Sequence, residues 1–237
     1  MTEPLRIAYL IEDTDLSGGV RVALAQADAL IGRGHHVTIA TKGLPIQWRS
    51  SLAEWRYVSD FREVDASAHD FVIATFWTTV RPALEAAGPE KTVHLCQGYE
   101  GDFTAYQSIR EVIESTYRLP IPKLVVAPHL VERLRRFSSD VTWIGQIVDD
   151  DFYRAASPAG NDPPRVLVAG AAQIDFKGID VGYAAVAQAR WQGASLELVR
   201  ISPWVPSQEE PLSEHVQEFH VGLSSPEMVK TMHACDV

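Results

Sequence analysis

Two stretches of this sequence combine residue types at spacings suited to holding an anion. In the first, the apolar run 5–11 is followed by the loop 12–17 and by Gly18-Gly19 at the start of a helical pattern. In the second, the apolar run 165–169 is followed by Gly170, a short loop, and Lys177-Gly178 opening another helical pattern. A strand, a glycine and a helix start in that order aim backbone N–H groups at a phosphate. Gly18 and Gly19 lack Cβ atoms, so the backbone there can approach a phosphate or a sugar closely; a tight turn that binds nothing uses the same pair. Arg21 lies on the first turn of that helix and either reaches the same ligand or stays solvated. Lys177 carries more weight, because a cation beside the positive end of a helix dipole is unfavourable unless an anion is shared by both. Two such starts suggest a nucleotide-bearing ligand held by two domains.

Trp77 follows directly on the apolar run 70–76, at the strand end where α/β sheets place ligands, and offers a flat ring for a sugar. A core role suits it equally, as it suits Trp48 and Trp55. Asp149-Asp150-Asp151 contains an Asp-x-Asp pattern after a strand, a layout that holds a divalent metal on a diphosphate. It abuts Phe152 and a polar stretch, and a run of like charge in a loop is ordinarily solvated, so no metal is expected. His35-His36 and His220 show no metal-ligand spacing. Arg133, Arg135 and Arg136 form a small basic cluster, read as a solvated helix face rather than a lipid contact.

Elements must position these residues. Val20, Ala23, Leu24, Ala27 and Ile31 recur at helical spacing, and Gly34 stands where a helix C-terminal glycine belongs. Strands are expected at 5–11, 37–40, 70–76, 92–96, 123–126 and 141–144, with helices at 80–87, 108–117 and 131–137. The strands read as apolar throughout, as in a parallel sheet covered on both faces. Residues 155–164, Ala-Ala-Ser-Pro-Ala-Gly-Asn-Asp-Pro-Pro, form a linker. Beyond it come strands 165–169, 195–201 and 216–221 and helices 178–190 and 226–234. The expected organisation is an α/β, Rossmann-like, doubly wound domain over 1–154, the linker 155–164, and an incomplete second domain of the same kind over 165–237.

Composition narrows the function classes. The chain has 237 residues, 46% hydrophobic and 22% charged, with a formal net charge of −10. That balance argues against nucleic acid as the main partner. Two cysteines, Cys96 and Cys235, make no disulfide framework, and neither a signal segment nor a membrane-length apolar run is visible; the expected location is cytoplasmic.

Arg6-Ile-Ala-Tyr-Leu, Gly18-Gly19-Val20-Arg21-Val22, Lys177-Gly178-Ile179-Asp180 and Ser225-Pro226-Glu227-Met228 resemble the family 4 glycosyltransferases. His94-Leu-Cys-Gln-Gly-Tyr-Glu100 and Ile121-Pro-Lys-Leu-Val-Val-Ala127 look like bacterial rhamnosyltransferase-type members. The resemblance implies a two-domain GT-B enzyme that moves a sugar, with retention, from a nucleoside-diphosphate sugar to a glycan-type acceptor, with no cofactor. It implies donor phosphate contacts at Gly18, Gly19, Gly170, Lys177 and Gly178, and acceptor or sugar contacts at Arg21, Trp77, Gln97, Tyr99 and Glu100. Three departures stand out. Ala171 occupies the place of a family arginine, and Gln97 that of a frequent histidine. A pair of donor-site glutamates seven residues apart would fall past Val237. The chain by itself is therefore expected to lack a competent donor site and to leave one strand edge open. The rival readings are a non-catalytic transferase-like binding subunit and a GT-B-fold nucleotide-sugar epimerase.

Overall fold

The computed structural model describes residues 3–46, 48–148, 152, 160–206, 210 and 216–237. It divides into two units, Met1–Val148 and Asp149–Val237. The Asp-x-Asp run 149–151 and the linker stretch 155–159 lie outside the described residues.

The first unit is built on seven parallel strands: β1 (Arg6–Ile11), β2 (His36–Thr41), β3 (Glu54–Tyr57), β4 (Phe71–Ala74), β5 (Thr92–Cys96), β6 (Lys123–Val125) and β7 (Val141–Trp143). Their order is β3-β2-β1-β4-β5-β6-β7. Ile7 of β1 stands between Val37 of β2 and Phe71 of β4, so the winding reverses at β1 and a switch point opens between β1 and β4. Alternation along β1 sends Ile7, Tyr9 and Ile11 to one face and Ala8 and Leu10 to the other. The first set packs with Val20, Ala23, Leu24 and Ala27 of helix α1 (Gly18–Gly32), and with residues of α3 (Arg110–Tyr117) and α4 (Pro128–Leu134). The second packs with Val72, Val80 and Ala83, the last two from α2 (Trp77–Ala87). Helices thus cover both faces, and each fully buried aliphatic side chain contributes roughly 1.5–3 kcal/mol.

Local chemistry sets the boundaries. Helix α1 starts where the Ser17 hydroxyl accepts from Val20 N at 3.2 Å and stops at Gly32, two residues before Gly34, whose φ of +92° lets His35 N reach back to Leu30 O. Helix α2 begins at Trp77 rather than the expected residue 80, because the Thr79 hydroxyl accepts from Thr75 N and Phe76 N and organises the turn before it. Pro82 consequently sits inside the helix. Helix α4 begins at Pro128, in the N-terminal position proline favours, three residues before the expected start. Strand β3 escapes a search for apolar runs: it is an edge strand, Glu-Trp-Arg-Tyr, with no fully buried residue.

The second unit holds β8 (Arg165–Ala169), β9 (Glu197–Ser202) and β10 (Glu218–Val221), all parallel in the order β10-β9-β8, with α5 (Ile179–Trp191) and α6 (Ser225–His233). The edge of β8 expected to be open is paired over its first half. Asp236 N donates to Arg165 O at 2.8 Å and Leu167 N donates to Val237 O at 2.7 Å, so residues 236–237 pair with that edge from Arg165 to Leu167. The Asp236 carboxylate also accepts from Arg165 N at 2.9 Å and Gly160 N at 2.7 Å. The first unit repeats this device, with Asp70 N donating to Arg6 O and Arg6 N donating to Asp70 Oδ2, each at 2.8 Å. Both units thus set the register at the first strand with an arginine–aspartate backbone pair.

Candidate functional site

In the first unit the loops after β1, β4 and β5 meet at the switch point. Gln97, just past β5, donates from Nε2 to Gly19 O at 3.0 Å, tying the third loop to the start of α1. A Cβ on Gly19 would stand 3.6 Å from that side chain, an ordinary contact, so glycine there gives room rather than avoiding a clash. Gly18 is open to solvent, and the first-turn N–H groups at Gly18 and Gly19 have no intrahelical acceptor. Arg21 is half-buried on the same turn, its N–H donated to Ser17 O at 3.1 Å.

Trp77 is the first residue of α2. Its ring lies 6.1 Å from Phe76 and 6.2 Å from Tyr106, and Tyr106 lies 6.0 Å from Phe103. Phe103 in turn covers Gly98, where a Cβ would meet its ring at 3.5 Å. The next residue of α2, Thr78, donates its hydroxyl to Glu12 Oε2, and Lys42 Nζ stands 3.3 Å from Glu12 Oε1. A carboxylate at the end of β1 is thereby held between β2 and α2.

Tyr99 and Glu100 sit beneath this surface. Tyr99 stacks on Tyr117 and Phe137, and its hydroxyl bonds Glu114. Glu100 is 3% exposed, and burial pushes its carboxyl up to about 8. Oε2 of Glu100 meets no partner among the described residues. His94 is fully buried and stacked on Tyr117 at 5.2 Å, with burial, helped by the nearby Lys123 charge, lowering it to about 3. Lys123 is itself buried and donates to Ile121 O at 2.7 Å. These residues are buried and fix the loop from inside.

The second unit carries the other candidate. After β8, Gly170 has a φ of +139° and donates its N–H to Ile201 O at 3.0 Å. A Cβ on Gly170 would press Ile179 Cδ1 at 3.1 Å. The chain closes a short 3-10 turn, Asp175–Lys177, and then enters α5 through Gly178, which is left-handed at φ +62°. The expected helix start at 178 is this cap. Gly182, one turn in, lets the helix lie against β8: a Cβ there would be 3.0 Å from Val168 Cγ1. Lys177 is exposed at the N-terminus of α5, its Nζ 5.4 Å from the Phe176 ring centre. Ala171, in the place of a family arginine, is buried.

The sequence reading missed Glu12, Lys42 and Thr78, which meet only through the fold. It also missed Arg200, for which a signal existed: a lone arginine in the strand Glu-Leu-Val-Arg-Ile-Ser. Its guanidinium is fully buried, bonds Glu210 at 2.9 Å and lies over Phe219.

No family model matches the chain, and no curated protein matches it. Solved structures do. WaaG, a glycosyltransferase involved in lipopolysaccharide biosynthesis, matches with a TM-score of 0.65 at 14% identity, over 98% of this chain and 73% of that one. The fold is that of the GT-B glycosyltransferases. HepE of Anabaena, solved with UDP and glucose, matches at TM-score 0.66 and 11% identity, over 98% of this chain and 73% of its own. An alpha-glucosyltransferase in complex with UDP-glucose and DNA containing an abasic site matches at TM-score 0.62 and 12% identity, covering 98% and 71%. Each of these matches spans both units of this chain. Among the described residues no helix is long and apolar enough to cross a membrane.

Proposed function

We propose that this chain is a glycosyltransferase of the GT-B kind, in which the second unit takes the diphosphate of a nucleoside-diphosphate sugar and the first takes the acceptor. The observation that carries the reading is the β8–α5 junction. Gly170, a one-turn loop, Lys177 and left-handed Gly178 open a 13-residue helix packed on the strand through Gly182. An exposed lysine there adds its charge to the helix N-terminus, and both stabilise the negative charge that develops on a leaving diphosphate. On the first unit Gln97, for which the resemblance to family 4 implies an acceptor contact, is joined to Gly19, for which it implies a donor phosphate contact. Transfer with retention, to a glycan-type acceptor and without a cofactor, completes the proposal. The solved GT-B structures with UDP or UDP-glucose support UDP as the first nucleotide to try. The net charge of −10 argues against nucleic acid as acceptor.

A second reading has one specific observation in its favour. Ala171 is buried in place of an arginine, which leaves Lys177 with less help in neutralising a diphosphate and suits a binding subunit that does not transfer. Incubation with a panel of radiolabelled UDP-sugars separates the two. Release of UDP, or transfer to a glycan pool, supports the transferase; saturable UDP-sugar binding with neither supports the binding subunit; no binding refutes both.

A further inference from the structure

We infer that the switch-point surface of the first unit, formed by Glu12, Thr78, Phe76, Trp77, Phe103 and Tyr106, receives its acceptor as an uncharged sugar ring and rejects phosphorylated ones. The inference rests on the transferase reading and names the acceptor class of that reading.

Charge is the first ground. In a doubly wound sheet the crevice between β1 and β4 is the place where a phosphate is ordinarily met by helix N–H groups. Here a carboxylate stands in it. Glu12 is fixed on one side by the Thr78 hydroxyl, from the first turn of α2, and on the other by Lys42 at 3.3 Å. Asp13 and Asp15 follow in the same loop, and the Asp13 carboxyl is held above its ordinary range by partial burial and by its neighbours Asp15 and Glu12. Lys42, with Arg21 on the first turn of α1, stands against three carboxylates, which leaves this end net negative, and an anion brought there is repelled.

The ring cluster is the second, independent ground. Phe76, Trp77 and Tyr106 meet in three pairs at 6.1–6.2 Å, and Phe103 extends the patch over Gly98. The four rings are only partly buried, and the cluster is joined to the carboxylate through α2, where Thr78, the residue after Trp77, holds Glu12. Trp77 Nε1 is shielded from solvent and finds no acceptor among the described residues, so the ring is turned with its nitrogen inward. A pyranose offers what these groups lack: a C–H face for the rings and a hydroxyl to donate to Glu12. Neither a lipid phosphate nor a nucleic-acid backbone does.

Saturation-transfer NMR on the full chain, with UDP present, tests this. The probes are the methyl glycosides of glucose, galactose, mannose and rhamnose, the 6-phosphates of the first three sugars, and a 13-base-pair DNA duplex at 150 mM salt. At least one neutral glycoside is expected to bind, with its phosphorylated counterpart at least tenfold weaker and the duplex silent. Glu12→Lys is expected to shrink that tenfold gap below threefold, and Trp77→Ala to weaken the neutral glycoside at least fivefold. Glu12→Gln, which keeps a partner for Thr78, shrinks the gap in the same direction and serves if Glu12→Lys does not fold. The inference is overturned if no glycoside binds, if the phosphate or duplex binds as well as the neutral sugar, or if the gap survives both Glu12 variants. The UDP signal in the same tube reports on the second unit. Glycoside binding without UDP binding sinks the transferase reading and leaves the sugar site; UDP binding without glycoside binding does the reverse.

Discussion

The Arg200–Glu210 pair gives the sharpest prediction about stability. Both side chains are 0% exposed, with Arg200 Nε donating to Glu210 Oε1 at 2.9 Å. Tyr183 adds its hydroxyl to the same carboxylate oxygen at 3.1 Å, while Arg200 Nη1 donates to Ile201 O and to Val168 O, two residues before Gly170. Desolvation offsets most of what such a pair gains, so the intact pair adds little net stability. Removing one partner is a different matter, since it strands a charge in the interior. Glu210→Ala is expected to destabilise the second unit by about 3–5 kcal/mol. With a urea dependence of about 1–3 kcal/mol/M, the midpoint falls by at least about 1 M. The double variant Arg200→Met/Glu210→Leu, which removes both charges at similar volume, is expected to recover most of that loss. Urea titration followed by far-UV circular dichroism reads both. A loss below about 1 kcal/mol for Glu210→Ala, or a double variant weaker than the single one, refutes the stranded-charge reasoning.

Three further outcomes follow from the same geometry. Gly178→Ala forces a Cβ into a left-handed residue and is expected to cost about 1–2 kcal/mol in thermal unfolding, with weaker UDP binding in a titration of the same variant. Glu100 is raised to about 8 from 4.5, so the folded state holds its proton more tightly and stability falls as pH rises from 4.5 towards 8, by up to ~1.4 kcal/mol per pH unit. Glu100→Gln is expected to flatten that alkaline limb. His94 has the opposite sign: lowered to about 3 from 6.5, it stays neutral in the fold, and stability is lost as pH falls from 6.5 towards 3. His94→Phe, which keeps the stack on Tyr117, removes that acid limb in guanidinium melts across pH; an unchanged profile in either variant contradicts the burial argument.

The fold was largely legible because buried parallel strands announce themselves as apolar runs. β1, β5 and β8 fell within a residue of expectation for that reason. β3 was illegible because an edge strand with solvent on its sides carries no such run. The starts of α2 and α4 were misplaced because Thr79 caps from inside the helix and Pro128 precedes the first apolar residue. At the site, glycine and lysine at 18, 19, 170, 177 and 178 could be singled out because backbone geometry makes those types rare choices. Glu12, Lys42 and Thr78 could not, since nothing in their separate neighbourhoods links residues 30 and 66 positions apart. Burial also divides candidates that look alike in sequence: Trp77 reaches the surface, while Tyr99 and Glu100, one turn past Gln97, face the core.

The most direct test of the central claim is calorimetric titration of the chain with UDP, side by side with Lys177→Ala. Lys177 is exposed, so the variant is expected to melt close to the wild type. A charge-assisted contact to a diphosphate is worth about 1.5–3 kcal/mol, which sets the expected loss at roughly 10- to 150-fold in affinity. Saturable UDP binding by the wild type with that loss in the variant is the result expected of a donor site at β8–α5. UDP binding unchanged by Lys177→Ala, or no binding at millimolar UDP, contradicts it.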